Sequence, residues 1–299
     1  VFAEPPGFDR AALTRALRDG WGIAVAALEY APVGFGAHHY RARDTGGADW
    51  FVTVDLDADP VALERAFGTA AALREAGLEF VAAPRRRPDG RCLTVLAGGS
   101  AVSVAEAIDG ASHDFGDELP APARRRLRDA LDRMHAAPVP PGAPVDPLTV
   151  PRRDELTRAG PPWGPGPYAD RARDLLLAHR DRIDALFARY DALVPAVRAR
   201  RDTWVVTHGE PHPGNVMLPA GGGIRLIDWD TVAVAPRERD LWMADPDRTA
   251  DPGAAELYRL RWALTDICAF AHDLRVPHRD DENTALAWRA LGGYLISGL

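Results

Sequence analysis

Apolar positions along this chain change rhythm several times, and each change predicts an element. Between residues 8 and 20, Leu13 and Leu17 fall at helical spacing and Gly20 offers a stop, so a short leading helix is expected. From Ala27 the runs shorten and turn residues separate them: Leu28 to Val33, His38 to Arg43, and Trp50 to Asp55. That texture predicts three antiparallel strands. Pro60 to Ala76 returns to helical spacing through Leu63, Phe67, Ala70 and Leu73 and closes at Gly77. Two further strands are expected at Arg91 to Leu96 and Ser100 to Ala105, joined by Ala97, Gly98 and Gly99.

Beyond Gly110 the pattern becomes helical. Pro122 to Ala136 carries Leu127, Leu131 and Met134 on one face, Tyr168 to Arg200 is a long Leu- and Ala-rich stretch, and Ala254 to Leu274 and Thr284 to Tyr294 follow the same rhythm. Residues 138 to 167 hold many prolines and several glycines and read as a loop. Trp204 to Thr207 and Ile224 to Ile227 read as short strands around a polar segment. Five strands with one helix, then a mostly helical part, is an α+β order with two lobes, divided as 1–108 and 109–299.

Composition narrows the class. The 299 residues are 46% hydrophobic and 26% charged, an ordinary globular balance with no apolar run approaching a membrane span. Residues 1 to 18 carry Pro, Glu and Asp where a signal peptide needs a basic start and an apolar middle, so a cytoplasmic location is expected. Cys92 and Cys268 lack metal-type spacing and are expected as free thiols. A formal charge of −7 opposes a nucleic-acid partner and suits a cationic small molecule, with the chain a monomer or weak dimer. All 36 residues counted as Lys or Arg are arginine, so any mechanism that requires a lysine is excluded.

The chemistry concentrates in Thr207-His208-Gly209-Glu210-Pro211-His212-Pro213-Gly214-Asn215 and in Ile227-Asp228-Trp229-Asp230. Glu210, Asn215 and Asp228 put oxygen ligands and a base in loops at strand ends. Phosphoryl transfer needs such a set, because hard Mg²⁺ takes carboxylate and amide oxygens and the nucleophile must be held in line. Glu210 would accept a hydroxyl proton, while Asn215 and Asp228 would hold Mg²⁺ against nucleotide phosphates. His208 and His212 stand four apart with a glutamate between them, as in a zinc-protease helix. Pro211 and Pro213 would break that helix and the glutamate is one place late, which disfavours zinc hydrolysis.

These residues resemble the aminoglycoside phosphotransferase family, and within it the spectinomycin phosphotransferase-like branch. The family pattern of His, Gly, Asp, four residues and Asn, followed by Ile-Asp-Trp/Phe, lies over His208 to Asn215 and Ile227 to Trp229. Ala235-Pro236-Arg237-Glu238-Arg239-Asp240-Leu241 and Leu131 to His135 extend the likeness along nearly the whole chain. The resemblance implies a protein-kinase-like fold, ATP or GTP with Mg²⁺ as cofactors, and transfer to a hydroxyl of an aminoglycoside or aminocyclitol. It also implies that Asp240 braces the catalytic loop, that His208 is structural, and that His212 lies near the phosphates. Val33-Gly34-Phe35-Gly36-Ala37-His38 would lie over those phosphates through the Gly34 and Gly36 backbone or else form an ordinary hairpin turn. Glu106-Ala107-Ile108 would form the hinge, with the Glu106 and Ile108 backbone meeting the purine.

Two positions depart from the family. Thr53 stands where the third strand usually carries a phosphate-binding lysine, leaving Arg41 or Arg43 as candidate substitutes and Glu64 as a candidate partner for such an arginine. Glu210 replaces the usual aspartate, and a shift of about 1 Å in a reacting group costs on the order of a hundredfold in rate. A nucleotide-binding pseudokinase and a small-metabolite kinase therefore stand beside the antibiotic kinase. Asp266 and Asp273, seven apart on one expected helix, are candidates for binding a substrate's ammonium groups. Trp163 and Tyr168 would cap it or simply pack their loop.

Overall fold

The computed structural model describes residues 3–34, 36–56, 58–157 and 162–297. Helix α1 (Arg10–Trp21) is followed by strands β1 (Val25–Ala31), β2 (His38–Asp44) and β3 (Asp49–Asp55), helix α2 (Pro60–Glu75), and strands β4 (Leu93–Val95) and β5 (Ala101–Glu106). Local signals set these limits. Asp9 accepts a hydrogen bond from the Ala12 N–H to start α1, and Asp59 with Pro60 starts α2. The α1 stop is Gly22, at φ +70, and not the expected Gly20, which is buried inside the helix.

The chain continues through β6 (Gly110–Ala111), α3 (Ala121–His135), α4 (Arg153–Thr157), α5 (Ala169–Ala178) and α6 (Arg180–Arg198). Then come β7 (Val205–Thr207), β8 (Val216–Pro219), β9 (Arg225–Leu226), β10 (Ala233–Ala235), α7 (Glu238–Ala244), α8 (Pro252–Arg275) and α9 (Glu282–Gly292). The long Leu- and Ala-rich stretch expected as helical from Tyr168 to Arg200 forms two helices that meet at His179, whose ψ of 16° leaves the helical range. Within the Pro- and Gly-rich segment expected as loop, α4 forms one short helix.

Two compact units result, one of Val1–Val145 with Trp204–Arg248, the other of Asp146–Thr203 with Thr249–Leu299. In the first, β1-β2-β3-β5-β4 form an antiparallel sheet. One face buries Tyr40, Ala42, Val52, Val54, Val102 and Val104 against Leu13 and Leu17 of α1. Near β4 the sheet also packs Leu93 and Ala101 on Leu63, Phe67 and Ala71 of α2. Ala66, Ala70 and Leu73 of that same helix join Leu127, Leu131 and Met134 of α3 and Val206, Val216, Leu226 and Trp229 beneath the loops. Helix α2 is thus covered on two sides, and its charged Arg65, Arg74 and Glu75 fall at the exposed positions that remain.

In the second unit α8 is the central element, packed by α4, α5, α6 and α9. Asp251 caps it by accepting from the Gly253 and Ala254 N–H groups, and Leu257, Leu264, Ile267 and Leu274 are fully covered. A buried Asp146 accepts from Tyr258 and from Arg261 at 2.5 Å, pairing charge inside this unit. Both cysteines are buried free thiols, and burial pushes Cys92 up to about 11. Among the described residues, no helix is long and apolar enough to cross a membrane.

Candidate active site

The polar segment hangs between short strands of the first unit. Strand β7 pairs with β10, β8 pairs with β9, and the loops between them carry His208 to Asn215 and Ile227 to Thr231. The underside of these loops is built almost entirely from internal hydrogen bonds. Asp240 accepts from the backbone N–H groups of His208 at 3.1 Å and Gly209 at 2.7 Å, and its Oδ2 lies 2.8 Å from His135 Nε2. Burial alone would raise the Asp240 carboxyl, but the His135 hydrogen bond and charge and the Gly209 N–H bring it below the usual range. Arg239 donates to Thr207 Oγ1 at 2.9 Å and to the Thr231 carbonyl at 2.7 Å. Gly209, at φ +102, sits against that guanidinium, so a side chain there would overlap it.

His208 links the two loops. Its Nε2 donates to the Ile227 carbonyl at 2.9 Å, its Nδ1 accepts from the Glu210 N–H at 3.2 Å, and its ring meets Trp229 edge-on at 4.6 Å. Burial pushes this imidazole down to about 4, so it is neutral near pH 7.

The opposite side is open and acidic. Asn215 Nδ2 donates to the Glu210 carbonyl at 3.0 Å and lies 3.2 Å from His212 Nε2. This turns the amide nitrogen into the loop and leaves Oδ1 without a protein partner among the described residues. Asp228 adopts φ +65, a left-handed conformation that costs most residues about 1–3 kcal/mol and that Asp tolerates better than most. Its carboxyl is raised well above the usual range, first by the charge of Asp230, then by burial, then by Glu210, with a smaller part from Asp55. Burial likewise raises Asp230. Both side chains reach solvent, yet the chain packed around them is dense enough to disfavour charge. Asp55, at the end of β3, is pushed up to about 6 by burial and by Asp230. The charges of Asp230, Glu210 and Asp55 thus oppose ionisation of Asp228, and that of Asp230 opposes Asp55, while the Arg239 guanidinium and the Thr231 N–H partly relieve Asp230.

Among the described residues, no three His, Cys, Asp or Glu side chains group closely enough to hold a metal ion by themselves. A hard divalent ion that keeps waters and substrate oxygens needs only one or two protein ligands, and the Asn215 amide oxygen and Asp228 carboxylate fit it. Glu210, Asn215 and Asp228 are therefore brought to one place. Asp230 and Asp55 join them; Asp230 adjoins the motif, whereas nothing in the sequence around Asp55 marks it.

On the sheet, Gly34 and Gly36 have φ of +72 and +79, the turn conformation that favours glycine, and Phe35 between them lies outside the described residues. Thr53 stands opposite His39 and Ser103, and its Oγ1 lies 3.2 Å from His39 Nδ1. Arg41 is exposed, opposite Phe51 and Glu29, while Arg43 pairs with Asp49 at 3.6 Å. Glu64 corrects the expectation of a strand-arginine partner. It accepts from the Cys92 and Leu93 N–H groups at 2.7 and 3.2 Å, capping the start of β4, with Arg91 3.8 Å away. Glu106 ends β5 opposite Trp50, the next N–H, of Ala107, donates to Asp49, and Ile108 is half-buried.

In the second unit, Asp266 accepts from Tyr294 Oη at 2.6 Å, and burial raises its carboxyl. Asp273 lies two turns along α8 and is raised by burial as well, against the opposing charges of His272 and Arg152. Trp163 lies under the Arg275 guanidinium at 4.9 Å, and Tyr168 Oη donates to Asp280 at 2.9 Å.

A model of the phosphotransferase enzyme family matches residues 29–280, and the chain belongs to that family. It is 30% identical over 295 residues to Protein StrN of Streptomyces griseus, covering 90% of this chain and 86% of that one. Its fold is that of solved kinase-like aminoglycoside phosphotransferases. A spectinomycin phosphotransferase, APH(9)-Ia, solved with ADP and spectinomycin, superposes with a TM-score of 0.75 at 17% identity, over 96% of this chain and 94% of that one. Amicoumacin kinase hAmiN, solved with AMP-PNP, Ca²⁺ and Ami, gives 0.61 at 12% identity, over 96% and 93%. The aminoglycoside phosphotransferase APH(4)-Ia gives 0.55 at 15% identity, over 97% and 100%.

Proposed function

We propose that this chain transfers the terminal phosphoryl group of ATP or GTP to a hydroxyl of a small cationic molecule, with an aminoglycoside- or aminocyclitol-type antibiotic as the acceptor. The observation that carries this reading is the open carboxylate group at Glu210, Asp228 and Asp230, with the Asn215 amide oxygen beside it accepting no hydrogen bond among the described residues. A carboxylate such as Asp228, whose ionisation is opposed by the charges of its neighbours, is suited to receive a cation from outside.

Glu210 accepts the proton of the acceptor hydroxyl as its oxygen bonds to phosphorus and the bond to the leaving diphosphate breaks. Asn215 holds the Glu210 carbonyl and so fixes the loop that presents this base. Asn215 and Asp228 would hold Mg²⁺, which supplies charge neutralisation between phosphate oxygens. Asp240 and His208 bear no reacting atoms and keep the loop in register. Asp266 and Asp273 on α8 are the candidates for the acceptor's ammonium groups, a chemistry that also fits the overall acidic charge.

The lysine-free composition and Glu210 in place of aspartate favour, as a second reading, a nucleotide-binding pseudokinase. Nucleotide turnover measured with a panel of aminocyclitols, aminoglycosides and small alcohols separates the readings. Phosphoryl transfer to an antibiotic is expected. Transfer only to a metabolic alcohol moves the chain to another kinase class, and nucleotide binding without transfer makes it a pseudokinase.

A further inference from the structure

The chain holds no lysine, so whatever donates to nucleotide phosphates at the sheet is another residue type. The strand register shows which residues share that face. His39, Thr53 and Ser103 form one row, Arg41, Phe51 and Ala105 form the next row on one side, and Asp55 and Ala101 form the next on the other. With about 3.3 Å of rise per residue, His39 lies roughly 7 Å along the sheet from the Asp55 row and Arg41 roughly 13 Å. Since Asp55 senses the charge of Asp230, the His39 row lies nearer than the Arg41 row to the carboxylates that would face the phosphates.

Three contacts hold the His39 ring in one orientation. Its plane stacks on Phe51 at 5.0 Å and 28°, its Nδ1 meets Thr53 Oγ1 at 3.2 Å, and its Nε2 edge lies beneath Gly34. A Cβ at Gly34 would come within 3.0 Å of Nε2, so only glycine keeps that edge uncrowded. Gly34 also has φ +72, so the turn and the clearance ask for the same residue. When the Thr53 hydroxyl donates to Nδ1, the ring proton sits on Nε2, the edge that faces Gly34.

We propose that His39, oriented by Thr53, donates from Nε2 to the nucleotide phosphates and takes the place of the missing lysine. The assignment rests on the kinase reading of the same site. Burial pushes the free imidazole down to about 4, with no carboxylate among the causes, so the empty site holds it neutral and a bound phosphate is the first anion it meets. Thr53 is then a positioning residue, and the substitution of lysine changes the kind of phosphate donor instead of deleting it.

The test compares ATP with adenosine by calorimetric titration of the full chain and its variants. His39→Ala is expected to weaken ATP about tenfold or more, the worth of one charge-assisted hydrogen bond, and to leave adenosine within twofold. Thr53→Val is expected to show the same pattern at about threefold, and His39→Gln, which keeps an N–H near the Nε2 position, to retain most of the ATP affinity. NMR of the unsubstituted chain adds a readout that no folding defect disturbs: the His39 imidazole nitrogens should shift with ATP and not with adenosine. ATP affinity unchanged in His39→Ala, or imidazole signals indifferent to ATP, overturns the assignment while the kinase reading stands. Failure of the unsubstituted chain to bind ATP or GTP overturns the kinase reading and this assignment with it.

Discussion

Asp240 and Asp228 both sit amid densely packed chain, Asp240 fully buried and Asp228 with its side chain reaching solvent; they stand 12 residues apart in sequence and are shifted in opposite directions. Below the loops, Asp240 meets two backbone N–H groups and an imidazole, and its charge is stabilised despite full burial. Above them, Asp228 meets Asp230, Glu210 and Asp55, and its charge is opposed. Dense surrounding chain raises both carboxyls, so partners decide the outcome. The lower carboxylate has its charge stabilised by hydrogen-bond donors and holds structure; the ionised form of Asp228 is opposed by its acidic neighbours.

Substitutions that should help one side and harm the other would break this contrast. The largest effect is expected for Asp228→Ala, which should cut phosphoryl transfer about a thousandfold or more and abolish Mg²⁺-dependent nucleotide binding, with no loss of thermal stability. Unchanged nucleotide binding in a titration with and without Mg²⁺ would count against the metal role. Asp240→Ala should do the reverse in kind. It orphans the His208 and Gly209 N–H groups and His135 and should cost about 3–5 kcal/mol in denaturant unfolding.

The smallest effect carries a pH signature. The Asp55 carboxyl is raised to about 6 from an ordinary value of 3.8, so its ionised form is destabilising in the folded state. That penalty is full above about pH 6 and is relieved as the pH falls through 6 towards 3.8. Asp55→Asn should therefore stabilise the metal-free protein by about 1–2 kcal/mol at pH 7.5, and the advantage should vanish by about pH 4. Equal melting curves across this range would mean that Asp55 does not belong to the carboxylate group.

Much of the fold was legible because its cues are local. The five sheet strands, α2, α3 and α8 follow apolar spacing and caps such as Asp59 and Asp251, which act within a few residues. Strands β6, β8 and β10, of two to four residues, are too short to show a period, and α7 lies inside the segment read as a motif. The His179 break was invisible because the Leu- and Ala-rich pattern runs through it.

The same division runs through the site. Sequence by itself determined the candidate trio Glu210, Asn215 and Asp228, the missing lysine, and the α+β order, since residue type and spacing carry those properties whatever the tertiary arrangement. Only the folded chain decided that Glu64 caps β4 and leaves the strand arginines alone, that His135 reaches Asp240 from 105 residues away, and that Asp55 joins the acidic group. Electrostatic and hydrogen-bond energies depend on distances between groups remote in sequence, and packing alone sets those distances.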